Sequence, residues 1–335
     1  MGSYSQFLLL KAVRLVMVLI AVAIVAFSLV KLSPIDPVNA YLGADIARAG
    51  PEQRELIAEK WGLNQPAGVQ FKQWLSALLS GDLGWSMTYN APVADVLASR
   101  LRSSAVLMIG AWLISGLVGF ALGLIAGARP NSAWDRIIRG YSYLIAATPT
   151  FWLAILLLIV FSVGLQLTPV CCAGPIGLVD EDVTPFQRLH HLILPLVTLS
   201  AMGVPYIALH TRAKMVEIMQ SDIALFAKAQ GATTTDIVIR HGARNASLPV
   251  ITVLFASLGE LFGGSILAET VFSYPGLGRA TMEAGIRGDV PLLLAITLFT
   301  TLVVSCGNII ADAVYQIIDP RLADTENPKI RPLEP

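Results

Sequence analysis

The sequence predicts an all-α polytopic membrane protein with six transmembrane helices. Three observations carry that expectation. The 335-residue chain is 55% hydrophobic and only 14% charged, a balance foreign to soluble domains. Six apolar runs, at residues 15–32, 104–128, 141–165, 192–210, 248–272 and 291–311, each approach the ~20 residues needed to cross a bilayer core. Basic residues gather on alternate connections, which fixes an orientation.

Lys11 and Arg14 precede the first run, and Val38-Asn39-Ala40 resembles a cleavage site. The run is long for a signal peptide, so it reads as a retained helix after the N-terminal segment, together residues 1–32. Residues 33–103 form a small extracytoplasmic cap, carrying Trp61, Trp74, Trp85 and an amphipathic stretch at 51–61. Residues 104–311 are the helical core. Its second span carries Gly119, Gly123 and Gly127, a spacing that lets helices approach closely. Pro149 in the third span, and Pro195 and Pro205 in the fourth, predict kinks. Arg129, Arg136 and Arg139 mark the second loop as cytoplasmic; Arg212, Lys214, Lys228, Arg240 and Arg244 mark the fourth, and Arg321, Lys329 and Arg331 the 312–335 tail. Both termini are thus cytoplasmic. The opposite loops mix Arg188 with Asp180, Glu181 and Asp182, and Arg279 and Arg287 with Glu283 and Asp289.

Loop 221–249 is the longest polar stretch between apolar runs in the C-terminal half. Ser221–Asp222 is a good helix start, and Gly231 supplies a break where positive φ is needed. A second short helix starts in Thr233-Thr234-Thr235-Asp236, and Pro249 opens the next membrane run. Two stub helices must bury their apolar sides, either back on the bundle or on a cytoplasmic partner.

The formal net charge of zero points to no nucleic-acid partner. There is no Gly-Lys pair, hence no phosphate-binding P-loop, and no H-E-x-x-H zinc site. Ser265 and His210 raise an intramembrane serine protease as a remote alternative, although the nucleophile elbow is missing. Glu260 lies midway along the fifth span. An acid there costs about 2.5–3.5 kcal/mol to insert, so it should face the bundle interior or a water-filled path. Glu269, nearer the outer end, reads as interfacial. Cys171, Cys172, His190 and His191, with Asp180, Glu181 and Asp182, are ligand types for nickel or zinc collected in one outer loop, without tight spacing.

Several motifs, in order, resemble the permease subunit of the peptide/nickel class of ATP-binding-cassette importers. Pro34-Ile35-Asp36-Pro37-Val38 is similar to P-G-D-P-V, with Ile35 in place of Gly. Trp61-Gly62-Leu63-Asn64-Gln65-Pro66 is similar to L-G-L-D-x-P, and Gly81-Asp82-Leu83-Gly84-Trp85-Ser86 to G-D-L-G-x-S. Pro149-Thr150-Phe151-Trp152-Leu153 matches P-x-F-W-L. The run from Glu269-Thr270-Val271-Phe272 through Pro275-Gly276-Leu277-Gly278-Arg279 resembles E-T-I-F-x-W-P-G-L-G-R, and Asp319-Pro320-Arg321 the terminal D-P-R.

That resemblance implies that loop 221–249 is a coupling loop seated on two separate ATPase subunits, which hold ATP and Mg. Phe226, Ala227, Ala229, Gly231 and Pro249 fall at its coupling positions, while Leu225 and Phe226 depart from the general E-A-A pattern. It further implies a paralogous permease partner forming a heterodimer, an extracytoplasmic solute-binding protein, a bacterial inner-membrane location and no enzymatic activity in this chain. The segments 151–169, 244–249 and 259–264 look closest to the nickel branch, so the cargo expected is nickel or a metal chelate, with di- or oligopeptides as the alternative.

Overall fold

In the computed structural model, described for residues 2–32, 38, 50–60, 64–178 and 182–318, most apolar runs form helices longer than their apolar cores. Helix α1 (Gly2–Leu32) is followed by the short helices α2 (Pro51–Lys60) and α3 (Ala67–Leu79). Strands β1 (Trp85–Ser86) and β2 (Ala91–Pro92) form an antiparallel hairpin in which Ser86 faces Ala91. Then come α4 (Val93–Ala128), α5 (Ala133–Ala146) and α6 (Thr150–Leu157), the last continuing as a π-helix over Leu158–Gly164. Helix α7 (Pro185–Met219) precedes α8 (Asp222–Ala229) and α9 (Thr234–Ile237), which passes through a π segment (Val238–Gly242) into α10 (Ala243–Ala256). Helices α11 (Leu258–Val271), α12 (Leu277–Arg287) and α13 (Val290–Ile318) complete the order. The Pro34–Pro37 part of the first motif, Trp61-Gly62-Leu63, Asp180, Glu181, and Asp319-Pro320-Arg321 with the tail lie outside the described residues.

Four helical stretches among these residues are long and apolar enough to cross a membrane, and six when each of two bent pairs counts as one span. The third span bends by 104° between α5 and α6. Pro149 caps α6, and the residue before a proline is driven out of the helical region. At the bend Thr148 Oγ1 donates to the Leu144 carbonyl at 2.8 Å, occupying an acceptor at the end of α5. The fifth span bends by 46° at Ser257, where the sequence carries no proline. There the Leu254 carbonyl accepts from Trp112 Nε1 at 2.8 Å and Ser257 Oγ at 2.9 Å. By contrast α7 stays one 35-residue helix through Pro195 and Pro205, so the kinks expected there do not break it.

The chain divides into two compact units, Met1–Ala105 with Pro275–Ser305, and Val106–Tyr274 with Cys306–Pro335. In the second unit α4 lies directly on α7. A Cβ on Gly119 would sit 2.9 Å from the Val204 carbonyl, on Gly123 2.6 Å from the Ala208 carbonyl, and on Gly127 2.8 Å from the Arg212 carbonyl. The G-x-x-x-G-x-x-x-G spacing thus brings one helix face against a neighbouring backbone. Leu107 and Ala111 of α4, Leu192 and Leu199 of α7, and Tyr274 form the buried cluster alongside.

In the first unit Phe27 of α1 packs on Phe71 and Trp74 of α3. The cap motif that ends at Ser86 is held by one buried carboxylate: Asp289 accepts from Ser86 Oγ at 2.6 Å and the Thr88 amide at 2.9 Å, and the Leu292 amide at the start of α13 at 3.3 Å. Asp82 accepts the Gly84 amide, and Gly84 turns with φ +84, which delivers Ser86 to that carboxylate. Tyr89 and Arg279 both donate to Glu283 at 2.7 Å. Burial raises the Glu283 pKa, but these two bonds outweigh it and hold the carboxyl below its usual range. Burial and the same bond push Tyr89 up to about 12. Ser104, buried, accepts the Leu277 amide at 2.7 Å.

Gly123→Ala is expected to lower the melting temperature of the detergent-solubilised protein, because overpacking costs about 1–3 kcal/mol and here the obstacle is backbone. Gly140→Ala in α5, where an added Cβ meets nothing within 4 Å, is the control. It should be neutral or stabilising by about 0.8–1 kcal/mol.

Candidate functional site

Loop 221–249 begins where α7 ends at Met219. Ser221 holds the extended backbone of a helix cap, but its hydroxyl donates back to the Ile218 carbonyl at 2.7 Å rather than capping α8. Helix α8 stops at a Schellman turn: Ala232 N donates to Ala227 O at 3.0 Å and Gly231 N to Lys228 O at 2.9 Å. Gly231 sits there with φ +86, which glycine adopts without the steric cost other residues meet. The Thr233–Asp236 capping box then starts α9: Thr233 Oγ1 accepts the Asp236 amide, and Asp236 accepts the Thr233 amide. A hydrogen bond from the Thr233 hydroxyl to the Asp236 carboxyl, and then the one from the Thr233 amide, lower the Asp236 pKa.

The stubs divide their apolar residues between two faces. Ala224, Ala227 and Ile237 are buried together with Met219 and Ala232, closing the loop on itself. Ile223, Leu225, Phe226 and Ile239 point outward, with Phe226 and Ile239 each 67% exposed. Ala227 therefore belongs to the interior of the loop, and Phe226 and Ala229 to its outer side. Pro249 opens the apolar stretch of the fifth span, as expected, but it does not start a new helix. It lies inside α10, and the second stub is the beginning of a helical path running from Thr234 to Ala256, relaxed by the π segment.

Glu260 occupies the first turn of α11, three residues past the bend at Ser257, and its side chain is exposed. Glu269, expected at an interface, is instead completely buried. Burial and then the Glu269 charge push the Tyr274 hydroxyl up to about 12. A third acid, Asp135, is also completely buried at the start of α5. It escaped the sequence reading, although Ser132-x-x-Asp135 is a recognisable cap: Ser132 accepts the Asp135 amide.

The outer loop does not assemble Cys171, Cys172, His190 and His191 as ligands. The two sulfurs form a disulfide between neighbouring residues. His190 Nε2 pairs with the Leu167 carbonyl at 2.9 Å and His191 Nδ1 with the Cys171 carbonyl at 2.8 Å, so both rings hold the loop backbone. Cys172 N donates to the Phe272 carbonyl, joining the loop to the end of α11. Among the described residues no group of three or more His, Cys, Asp or Glu side chains is placed to hold a metal. Ser265 and His210 are not paired either: buried Ser265 donates to Phe262 O at 2.8 Å, and exposed His210 bonds Tyr206 O at 2.8 Å.

Residues 119–324 match the model of the family described as binding-protein-dependent transport system inner membrane component. Residues 4–107 match the N-terminal model of the same kind of protein. The oligopeptide transport system permease protein AppB of Bacillus subtilis is 31% identical over 319 residues, covering 95% of this chain and 99% of its own. A putative peptide transport system permease protein of Brucella abortus is 36% identical over 318 residues, with 95% and 99% covered. A probable peptide ABC transporter permease protein of Sinorhizobium fredii is 32% identical over 322 residues, with 96% and 99% covered.

Gly231→Val places a β-branched residue at φ +86, a strain of about 1–3 kcal/mol. Amide hydrogen exchange across 222–237 should speed up accordingly while α4 and α7 keep wild-type protection. Unchanged exchange in the loop would show that the turn is not held by Gly231.

Proposed function

The chain belongs to the binding-protein-dependent transport system inner membrane component family, the permeases of ABC importers, and on that premise we propose that it imports di- or oligopeptides. It is a multi-pass protein of the bacterial inner membrane. The observation that supports an external power source is the outward apolar face of loop 221–249, with Phe226 and Ile239 exposed beside a loop already closed by Ala224, Ala227 and Ile237. Separate ATPase subunits, carrying ATP and Mg, dock on that face in the cytoplasm. A paralogous permease completes a heterodimer, and an extracytoplasmic binding protein delivers the solute. The chain itself hydrolyses nothing.

The cargo expectation moves from nickel to peptides. Nickel finds no support in the relatives, which are named for peptide or oligopeptide transport. Nor is a cluster of metal ligands present among the described residues to favour it. Exposed Glu260 beside the bend of the fifth span suits the ammonium group at the start of a peptide, as a wall of the path.

The complete complex, reconstituted in vesicles with its binding protein, should accumulate labelled dipeptide or oligopeptide when ATP is supplied to the ATPase side. Glu260→Gln should assemble normally and lower peptide uptake about ten- to hundredfold, the equivalent of one charge-assisted hydrogen bond of about 1.5–3 kcal/mol. Accumulation of nickel and not of peptide would overturn the cargo reading. Equal uptake by the two forms would remove Glu260 from the path.

A further inference from the structure

Three connections of the second unit converge on the last turns of α7. Met215 is fully buried; a Cβ on Gly127 of α4 would lie 2.5 Å from its Cβ, and one on Gly242 of the π segment 2.6 Å from its sulfur. Helix α4 and the return from loop 221–249 are therefore keyed to α7 by close packing. Helix α5 is tied to the same turns by charge. Asp135 is completely buried and takes a two-pronged bond from Arg212, Nε to Oδ1 at 2.5 Å and Nη2 to Oδ2 at 2.9 Å. Its Oδ2 also accepts the Asn131 amide at 2.8 Å, and Arg139 Nε lies 3.3 Å from Oδ1. Asn131 turns the α4–α5 connection with φ +65.

We propose that the Asp135–Arg212 pair positions α5 so that movement of loop 221–249 reaches the bent third span. Arg212 lies two turns before α7 ends and the loop begins. Asp135 starts α5, whose other end is the 104° bend at Pro149. Apolar side chains can slide past one another, whereas a forked ion pair on a buried carboxylate has one geometry, and parting it takes from Asp135 its two-pronged partner. A displacement of the end of α7 therefore carries α5 with it, and the bend at Pro149 takes up the change of direction. Asp135 and Arg212 are positioning residues: they touch neither solute nor nucleotide. The inference rests on loop 221–249 being the ATPase docking site, and it extends that reading to a route through the bundle.

The test uses the full complex in vesicles. Asp135→Asn and Arg212→Gln should still bind the ATPase subunits and hydrolyse ATP, while peptide uptake per ATP hydrolysed falls at least about fivefold, the lower range of coupling energies. Arg212→Lys, which keeps the charge and loses the fork, should fall between the parent and Arg212→Gln. An unchanged ratio in Asp135→Asn, or Arg212→Gln no worse than Arg212→Lys, overturns the proposal. A readout independent of cargo is the distance between spin labels at Lys228 and Leu144 with and without a non-hydrolysable nucleotide. It should stay constant in the parent and change in Asp135→Asn; constancy in both overturns the proposal. If the parent complex moves no peptide, the cargo reading fails, and this distance still decides the role of the pair.

Discussion

The structure depends on how closely α4 approaches α7. Within a bilayer no hydrophobic gain separates a helix pair from lipid, so helices hold together by packing and polar contacts. Gly119, Gly123 and Gly127 supply that packing on one face, each set against a carbonyl of α7. The register this imposes brings Gly127 to Arg212 and Met215, hence to the root of loop 221–249. The same helix pair carries the buried cluster of Leu107, Ala111, Leu192 and Leu199 at its other end. One close-packed pair thus joins the loop proposed to receive force to the region near Tyr274.

Against that close-packed pair stand two spans that are not straight. The third bends at Pro149 and the fifth at Ser257. Each exposes polar backbone that must be satisfied in a membrane, and each has a hydroxyl placed to do so: Thr148 on the Leu144 carbonyl, Ser257 on the Leu254 carbonyl. Trp112 adds its indole to the second bend and ties it to α4. The proposed path residue, Glu260, sits just beyond this bend, where the helix changes direction beside an exposed surface.

What the sequence disclosed follows from the range of the interactions. Glycine spacing, the Gly231 break and the Thr233 cap are local patterns, and each is legible within a few residues. Proline was a partial guide: Pro149 marks a bend, while Pro195, Pro205 and Pro249 lie inside helices. The Ser257 bend has no proline to mark it: of the two donors on the Leu254 carbonyl, the Ser257 hydroxyl is local, but Trp112 is 142 residues from Leu254. The buried acids were hidden for the same reason. Asp135 finds Arg212 77 residues on, and Ser86 finds Asp289 203 residues on. The motifs Gly81–Ser86 and Pro275–Arg279 were visible as family marks, but that Ser86 reaches Asp289 and that Arg279 shares Glu283 with Tyr89 are three-dimensional facts. The nickel expectation drew on the likeness of segments 151–169, 244–249 and 259–264 to the nickel branch; the ligand types Cys171, Cys172, His190 and His191 hold a loop together rather than meeting around an ion.

The central claim is that the outer face of loop 221–249 receives an ATPase subunit. Phe226→Cys in a Cys306→Ser background gives one reporter thiol on that face, and its labelling by a maleimide in inside-out vesicles measures cover directly. The account predicts rapid labelling of the permease pair alone and strong protection once the ATPase subunits are bound. Equal labelling with and without them, in a complex shown to be assembled, would contradict it.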